Sequence, residues 1–132
     1  MQTARDWNLP SRSTVFNRFV GIEFVELHAD GATMRLDLGD EHRDAKGIVH
    51  GGVVFTLADS AIGTGIYKVL GKPCTTAEMK INYLRPVTGD VLTARSYILT
   101  AGTPLVVARA EVHSGAEHVA EVLSTFAVLG RA

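Results

Sequence analysis

The sequence predicts an α+β domain in which one long helix is wrapped by a curved antiparallel sheet. Two patterns carry this prediction: a long apolar run at 51–70, and several shorter stretches in which apolar and polar residues alternate. The chain has 132 residues and no linker-like stretch, so one domain spanning 1–132 is expected. A hydrophobic fraction of 46% is sufficient for a packed core.

The N-terminal segment, residues 1–20, is predicted to contain one short helix. Ser11 or Ser13 can cap it, and apolar residues at Val15, Phe16 and Phe19 follow at helical spacing. The first ten residues lack the basic and apolar regions of a signal peptide, so a cytoplasmic location is expected.

Residues 22–38 are predicted to form a β-hairpin. One strand runs to about His28, and the second alternates apolar and polar residues from Ala32 onward. Asp30-Gly31 between them is typical of a tight turn. Residues 39–49 are polar and contain glycine, which predicts a loop.

The apolar run Gly51–Leu70 is predicted to be a helix that ends before Gly71. Its apolar residues lie almost all the way round, so we expect other structure to surround it. The run is long enough to cross a bilayer, but Asp59 lies near its middle and Lys68 follows, which favours a buried helix and no membrane contact.

Four extended stretches follow Pro73, and their order favours an antiparallel meander packed on the helix. Strict alternation in the third stretch is typical of a sheet that is wet on one face. Edge strands of so small a domain stay exposed unless another copy pairs with them, so a homo-oligomer is expected. The predicted strands are 75–84, 91–100, 105–113 and 118–129.

The composition argues against several classes of function. The formal net charge is −1, which provides no positive field for a nucleic acid. Cys74 is the single cysteine, so an internal disulfide is excluded and a zinc site cannot be built from it alone. We expect no metal, and a small buried side chain at Cys74.

Two features of the predicted helix point to chemistry. Gly51 and Gly52 leave backbone N–H groups open to a negatively charged oxygen, as in an oxyanion hole, although they equally suit close packing. Asp59 is a carboxylate inside an apolar helix, where ionisation needs compensation. The structural alternative for Asp59 is an ion pair with Lys80 or Arg85.

Two neighbouring side chains admit both structural and catalytic interpretations. His50 is either a helix-start residue bonded to backbone or a catalytic group. Ser60 is predicted to bond the preceding turn, since the chain has no nucleophile-elbow pattern.

Helix geometry separates the two candidate groups. At a rise of about 1.5 Å per residue, Gly51 and Asp59 lie roughly 12 Å apart along the axis, too far to act on one carbonyl group. If both belong to one site, Asp59 must meet the Gly51 N–H of a second copy. The sequence therefore predicts an isologous dimer with two interfacial sites.

Three stretches of the chain are informative in combination: His50-Gly51-Gly52, then Asp59-Ser60-Ala61 after six further residues, and the segment 75–86, which ends in Tyr-Leu-Arg-Pro. Together they resemble the phenylacetyl-CoA thioesterase branch of the hot-dog superfamily. The resemblance covers about 39–129. It implies a hot-dog fold, dimers often paired into tetramers, and hydrolysis of acyl-CoA at the dimer interface. No cofactor is implied, because CoA is part of the substrate.

The resemblance also implies roles for individual residues. The Gly51 N–H polarises the thioester carbonyl, and Asp59 either activates water or attacks directly. A hydroxyl at Thr76 helps to hold the water or the carboxylate, and His50 supports the helix start. Asp44 stands where many relatives have an asparagine that donates to the thioester oxygen, which an ionised carboxylate cannot do.

The remaining substrate contacts are less specific in the sequence. His42 is a possible replacement donor for that asparagine. Arg85 and Lys80 either meet the CoA phosphates or are solvated positions of the sheet. Tyr83 is one of four large side chains that either line an acyl pocket or belong to the core, the others being Phe55, Tyr67 and Leu84. The expected substrate is a small aryl- or medium-chain acyl-CoA.

Two other functions remain open from the sequence. One is an acyl-thioester hydratase or dehydratase that pairs His50 with Asp59 across the interface. The other is a non-catalytic module that binds acyl-CoA without hydrolysing it.

Overall fold

A computed structural model describes residues 15–129, which form one six-stranded antiparallel sheet with a long helix packed against it. The strand order is β1-β2-β4-β5-β6-β3, and the long helix α2 contacts all six strands. This confirms the predicted fold class. The elements are α1 (Val15–Val20), β1 (Ile22–His28), β2 (Gly31–Asp37), a 3₁₀ turn (Asp40–His42), α2 (Gly51–Leu70), β3 (Cys74–Tyr83), β4 (Val91–Ala101), β5 (Leu105–Ser114) and β6 (Glu117–Val128).

The strand bounds agree with the predicted ones within two residues, but the order of the strands differs from a simple meander. β4, β5 and β6 are consecutive neighbours, whereas β3 lies at the far edge and pairs with β6. Alternation along a strand specifies which face is buried, and carries no information about the neighbouring strand. The predicted caps Ser11 and Ser13 lie outside the described residues.

The turn of the first hairpin is one residue earlier than predicted. His28 pairs with Gly31, so the turn residues are Ala29 and Asp30 and Gly31 opens β2. A Cβ atom at Gly31 would overlap the carbonyl group of Ser96 on β4. Glycine is thus required here by the close approach of β4.

Helix α2 begins and ends where the sequence predicts. Its first turn is capped by His50, and Gly71 ends it in the left-handed conformation at φ 71°. By length and composition α2 could cross a membrane, yet it is the core helix of this fold, with seven buried residues. Its other face is only half-buried in one chain, so the expectation that structure surrounds it holds on the sheet side only.

A buried serine fixes the distance between α2 and the sheet. Ser96 Oγ donates to the Ala61 carbonyl oxygen at 2.7 Å and accepts from the Ala32 N–H at 3.0 Å. A Cβ atom at Gly65 would lie only 2.8 Å from this hydroxyl. The helix therefore sits close to β2 and β4. With the helix oriented in this way, Asp59 lies on its half-buried face.

Candidate active site

Asp59 lies in a groove between α2 and β3, and its carboxylate is held by one side chain. Thr76 Oγ1 donates to Asp59 Oδ1 at 2.5 Å. Burial raises the pKa of Asp59, and the Thr76 hydrogen bond partly opposes this. The sequence left Lys80 or Arg85 as an ionic partner of Asp59, but among the described residues neither forms an ion pair with it, and the Arg85 guanidinium lies 3.9 Å from Glu117 instead. An acid held by a hydroxyl and raised in pKa is suited to accepting a proton.

The groove around Asp59 has a volume of about 470 Å³ and a mixed lining. Ser60 Oγ donates to Asn17 Oδ1 of α1 at 2.9 Å, which corrects the prediction that it bonds the preceding turn. Asp59 is the only charged residue among the described residues that line the groove. Its apolar lining includes Phe16, Phe55 and Phe126.

Among the described residues, the start of α2 has one backbone N–H group without an acceptor. His50 Nδ1 accepts the Gly52 N–H at 2.8 Å, so His50 caps the helix and the Gly52 N–H is already used. This corrects the expectation that both glycines present open N–H groups. Within residues 15–129 the Gly51 N–H has no acceptor, which makes it the single candidate oxyanion donor at this helix start.

Tyr83 packs against the start of α2. Its hydroxyl donates to the Gly51 carbonyl oxygen at 2.7 Å, and its ring would lie 3.2 Å from a Cβ atom at Gly51. Burial raises the pKa of Tyr83. Tyr83 and Gly51 line a second depression of about 360 Å³, whose rim carries the cationic Lys46 and Arg85.

Asp44 also borders this second depression, but its carboxylate is committed to the loop. Asp44 Oδ1 accepts from the Lys46 N–H at 2.8 Å and the Ile48 N–H at 3.1 Å, and Oδ2 lies 3.2 Å from Lys46 Nζ. These interactions, the Lys46 backbone hydrogen bond first, lower the pKa of Asp44. Asp44 is thus ionised at neutral pH and shapes the loop that leads into α2.

His42 cannot replace the missing donor, which corrects that expectation. Its Nδ1 accepts the Gly39 N–H at 2.9 Å, so Nε2 carries the proton and donates to the Val20 carbonyl oxygen at 2.7 Å. Both ring nitrogens of this buried side chain are therefore used within the fold.

The structure groups the predicted site residues into two sets. Asp59 lies with Thr76 in one groove, and Gly51 lies with Tyr83, Asp44 and Arg85 in the other depression. One chain does not bring the two sets together, as the helix spacing predicts.

The sequence did not single out two neighbours of Asp59 for the site. Cys74 Sγ lies 3.8 Å from the Gly63 carbonyl oxygen, and both residues line the Asp59 groove. Burial, followed by the charge of Asp59, raises the pKa of Cys74 to about 11. Their spacing in the sequence is the signal that could have identified them. Gly63 is four residues after Asp59 and so lies on the same helix face, and Cys74 is two residues before Thr76 and so lies on the same strand face.

Comparisons with known proteins agree with this architecture. The sequence model of the thioesterase superfamily matches residues 46–121. The medium/long-chain acyl-CoA thioesterase YigI of Escherichia coli is 28% identical over 134 residues, covering 86% of this chain and 84% of YigI.

Solved structures show the same fold. A conserved protein of Pseudomonas aeruginosa superposes with a TM-score of 0.84 and 31% identity, covering 96% of this chain and 99% of that protein. A point mutant of the phenylacetic acid degradation protein PaaI from Thermus thermophilus has a TM-score of 0.79 and 26% identity, with 86% and 98% covered. The chain therefore belongs to the thioesterase superfamily, in its PaaI-like hot-dog branch, and is a thioester hydrolase.

Proposed function

We propose that this protein hydrolyses a small aryl- or medium-chain acyl-CoA to the free acid and CoA, at sites that two copies build together. The observation that carries the proposal is the Asp59 carboxylate, held by Thr76 in a groove where burial raises its pKa. A carboxylate kept at an unfavourable position is typical of catalytic acids and bases. YigI acts on acyl-CoA, and PaaI belongs to phenylacetic acid degradation, which supports this substrate class.

The exposed edge of the sheet supports a shared site. β3 pairs with β6 on one side, and no strand of the described chain covers its other edge. An unpaired edge of ten residues is a template for a second copy. In an antiparallel pair about a twofold axis, the Thr76 end of one β3 lies beside the Tyr83 end of the other. This antiparallel arrangement brings Asp59 of one copy toward the Gly51 N–H of the other.

The chemistry needs only these groups and water. Water attacks the thioester carbonyl carbon while Asp59 accepts one of its protons, and the Gly51 N–H of the second copy donates to the oxygen as it becomes negative. The C–S bond then breaks, and the CoA thiolate takes the proton from Asp59. In the alternative route Asp59 attacks the carbonyl carbon directly and the C–S bond breaks, which releases the CoA thiolate and leaves a mixed anhydride on Asp59. Water then hydrolyses the anhydride to the free acid and the Asp59 carboxyl group, whose proton goes to the thiolate.

The depression at Gly51 suits the CoA portion of the substrate. Lys46 and Arg85 at its rim have side chains 73% and 60% exposed, and their surface ion pairs with Asp44 and Glu117 are weak enough to be exchanged for contacts with phosphates. The Asp59 groove has no cation among its described lining residues. The charges therefore favour CoA along the Gly51 side and the acyl group along the Asp59 side.

A substrate panel tests the reaction. Free thiol is measured with phenylacetyl-, hydroxybenzoyl- and medium-chain acyl-CoA, and hydration of an enoyl-CoA is followed in parallel. Thiol release that Asp59→Asn abolishes is expected. Hydration without thiol release would support the hydratase hypothesis. Tight binding of intact acyl-CoA without thiol release would support a non-catalytic binding module.

A complementation experiment tests the shared site. Asp59→Asn and Gly51→Pro carry different affinity tags, are co-expressed, and the mixed dimer is isolated through both tags. Gly51 is the first helical residue, where proline removes the N–H without breaking the helix, and His50 at φ −61° and ψ 135° tolerates a following proline.

Each parent dimer is expected to be inactive, whereas the mixed dimer has one intact site of two, about half of wild-type activity. A mixed dimer as inactive as its parents would contradict a site shared between copies. The proposal for the reaction itself would still rest on the substrate panel.

A further inference from the structure

The Asp59 groove continues past the carboxylate along the line where α2 and β3 run side by side. Two contacts tie these elements together: Thr76 to Asp59, and Cys74 Sγ to the Gly63 carbonyl oxygen. Gly63 is four residues after Asp59 on the helix, roughly 6 Å along the axis. Asp59, Gly63, Cys74 and Thr76 all line one groove, so the groove extends from the Asp59 carboxylate to Gly63, and we call this stretch the channel.

Gly63 leaves this channel open. A Cβ atom at Gly63 would lie 3.5 Å from Cε2 of Phe126, an ordinary contact, and would meet no other atom within 4 Å. An alanine therefore fits the fold, and any larger side chain must extend into the groove. Phe126 is 2% exposed and packed in the core, so it forms a rigid wall opposite.

The lining at this end is suited to an apolar group. Gly63, the Cys74 thiol and the Phe126 ring carry no charge at neutral pH, since the pKa of Cys74 is raised to about 11. The whole groove has about 470 Å³, whereas a cavity of about 150 Å³ is sufficient for benzene. The space exceeds that needed by a single small ring or an acetyl group.

We infer that the acyl group of the substrate occupies the channel from Asp59 to Gly63, and that Gly63 determines the acyl length that the enzyme accepts. This inference rests on the proposed function, because it takes the thioester carbonyl to lie at Asp59. The substrate class is an acyl-CoA whose apolar chain extends past the Asp59 carboxylate by about 6 Å or more.

The test is a chain-length profile of the full-length protein. Acetyl-, hexanoyl- and decanoyl-CoA are compared in the wild type, Gly63→Ala and Gly63→Val, with Lys68→Ala as an exposed control on the same helix. We expect kcat/KM for decanoyl-CoA to fall by about 10–200-fold in Gly63→Val, less in Gly63→Ala, and little for acetyl-CoA. The control is expected to keep the wild-type profile.

A folded Gly63→Val protein with an unchanged ratio of decanoyl- to acetyl-CoA hydrolysis would overturn the inference and leave the proposed function standing. A second readout does not depend on turnover. In Asp59→Asn, bound decanoyl-CoA is expected to slow maleimide labelling of Cys74, whereas acetyl-CoA is not. Equal labelling in both cases would also overturn the inference, even for a protein that hydrolyses no acyl-CoA.

Discussion

Replacing Asp59 with asparagine separates the chemistry of the carboxylate from its packing. The amide has nearly the same size, and its oxygen can still accept the Thr76 hydroxyl that lies 2.5 Å from Oδ1. It cannot accept a proton from water. We therefore expect kcat to fall by about 10²–10⁴-fold, which corresponds to about 2.7–5.4 kcal/mol of transition-state stabilisation.

The same substitution is expected to leave folding stability equal or higher at pH 7. Because burial raises the pKa of Asp59 above 3.8, the folded state holds its proton to higher pH than the unfolded state. The contribution of Asp59 to the free energy of unfolding therefore falls as the pH rises from 3.8 through the pKa of the folded state. Above that pKa the contribution is fully lost. Asparagine carries no such loss, so the stability difference between variant and wild type is expected to shrink in acid.

Thiol-release kinetics and urea unfolding between pH 4 and 8 measure the two effects together. Asp37→Asn is the matched control, since that carboxylate is 67% exposed and lies away from the Asp59 groove. Wild-type turnover in Asp59→Asn would refute the catalytic assignment. A clear loss of stability at neutral pH, absent in the control, would refute the argument from burial.

Three further predictions follow from other contacts. Gly51→Pro is expected to reduce kcat by about 10²–10³-fold because it removes the oxyanion donor, whereas Gly51→Ala keeps the N–H and is expected to lose less. Ser96→Ala is expected to lower the free energy of unfolding in urea by about 1–3 kcal/mol, since a buried backbone N–H loses its acceptor; Ser124→Ala, which loses only a donor to a carbonyl oxygen, is expected to lose about 1 kcal/mol. Cys74 is expected to react with a disulfide reagent at pH 8 roughly 100-fold more slowly than a thiol of pKa 9.0, as measured by the absorbance of the thiol that the reagent releases. The reaction is expected to be faster in Asp59→Asn than in the wild type, because the charge of Asp59 contributes to the raised pKa.

Local periodicity alone is sufficient to predict the helices and strands of this chain. The bounds of α2 at Gly51–Leu70 follow from an apolar run and from Gly71, and the strands follow from alternation. The sequence also identified Asp59 as an unusual acid. The 12 Å separation of Asp59 from Gly51 needs only the rise of a helix, so the prediction of a shared site came before any tertiary contact. The expectation for Thr76 came instead from the family resemblance.

Contacts between residues that are distant in the sequence follow from the packing of the folded chain. The hydrogen bond between Thr76 and Asp59, the use of the Gly52 N–H by His50, and the two hydrogen bonds of His42 depend on side-chain direction and not on composition. Strand order was likewise undetermined, because the same alternation fits any neighbour. Gly63 is the clearest example. The sequence shows that this residue has no side chain, but only the packing of α2 against β3 shows the channel that results.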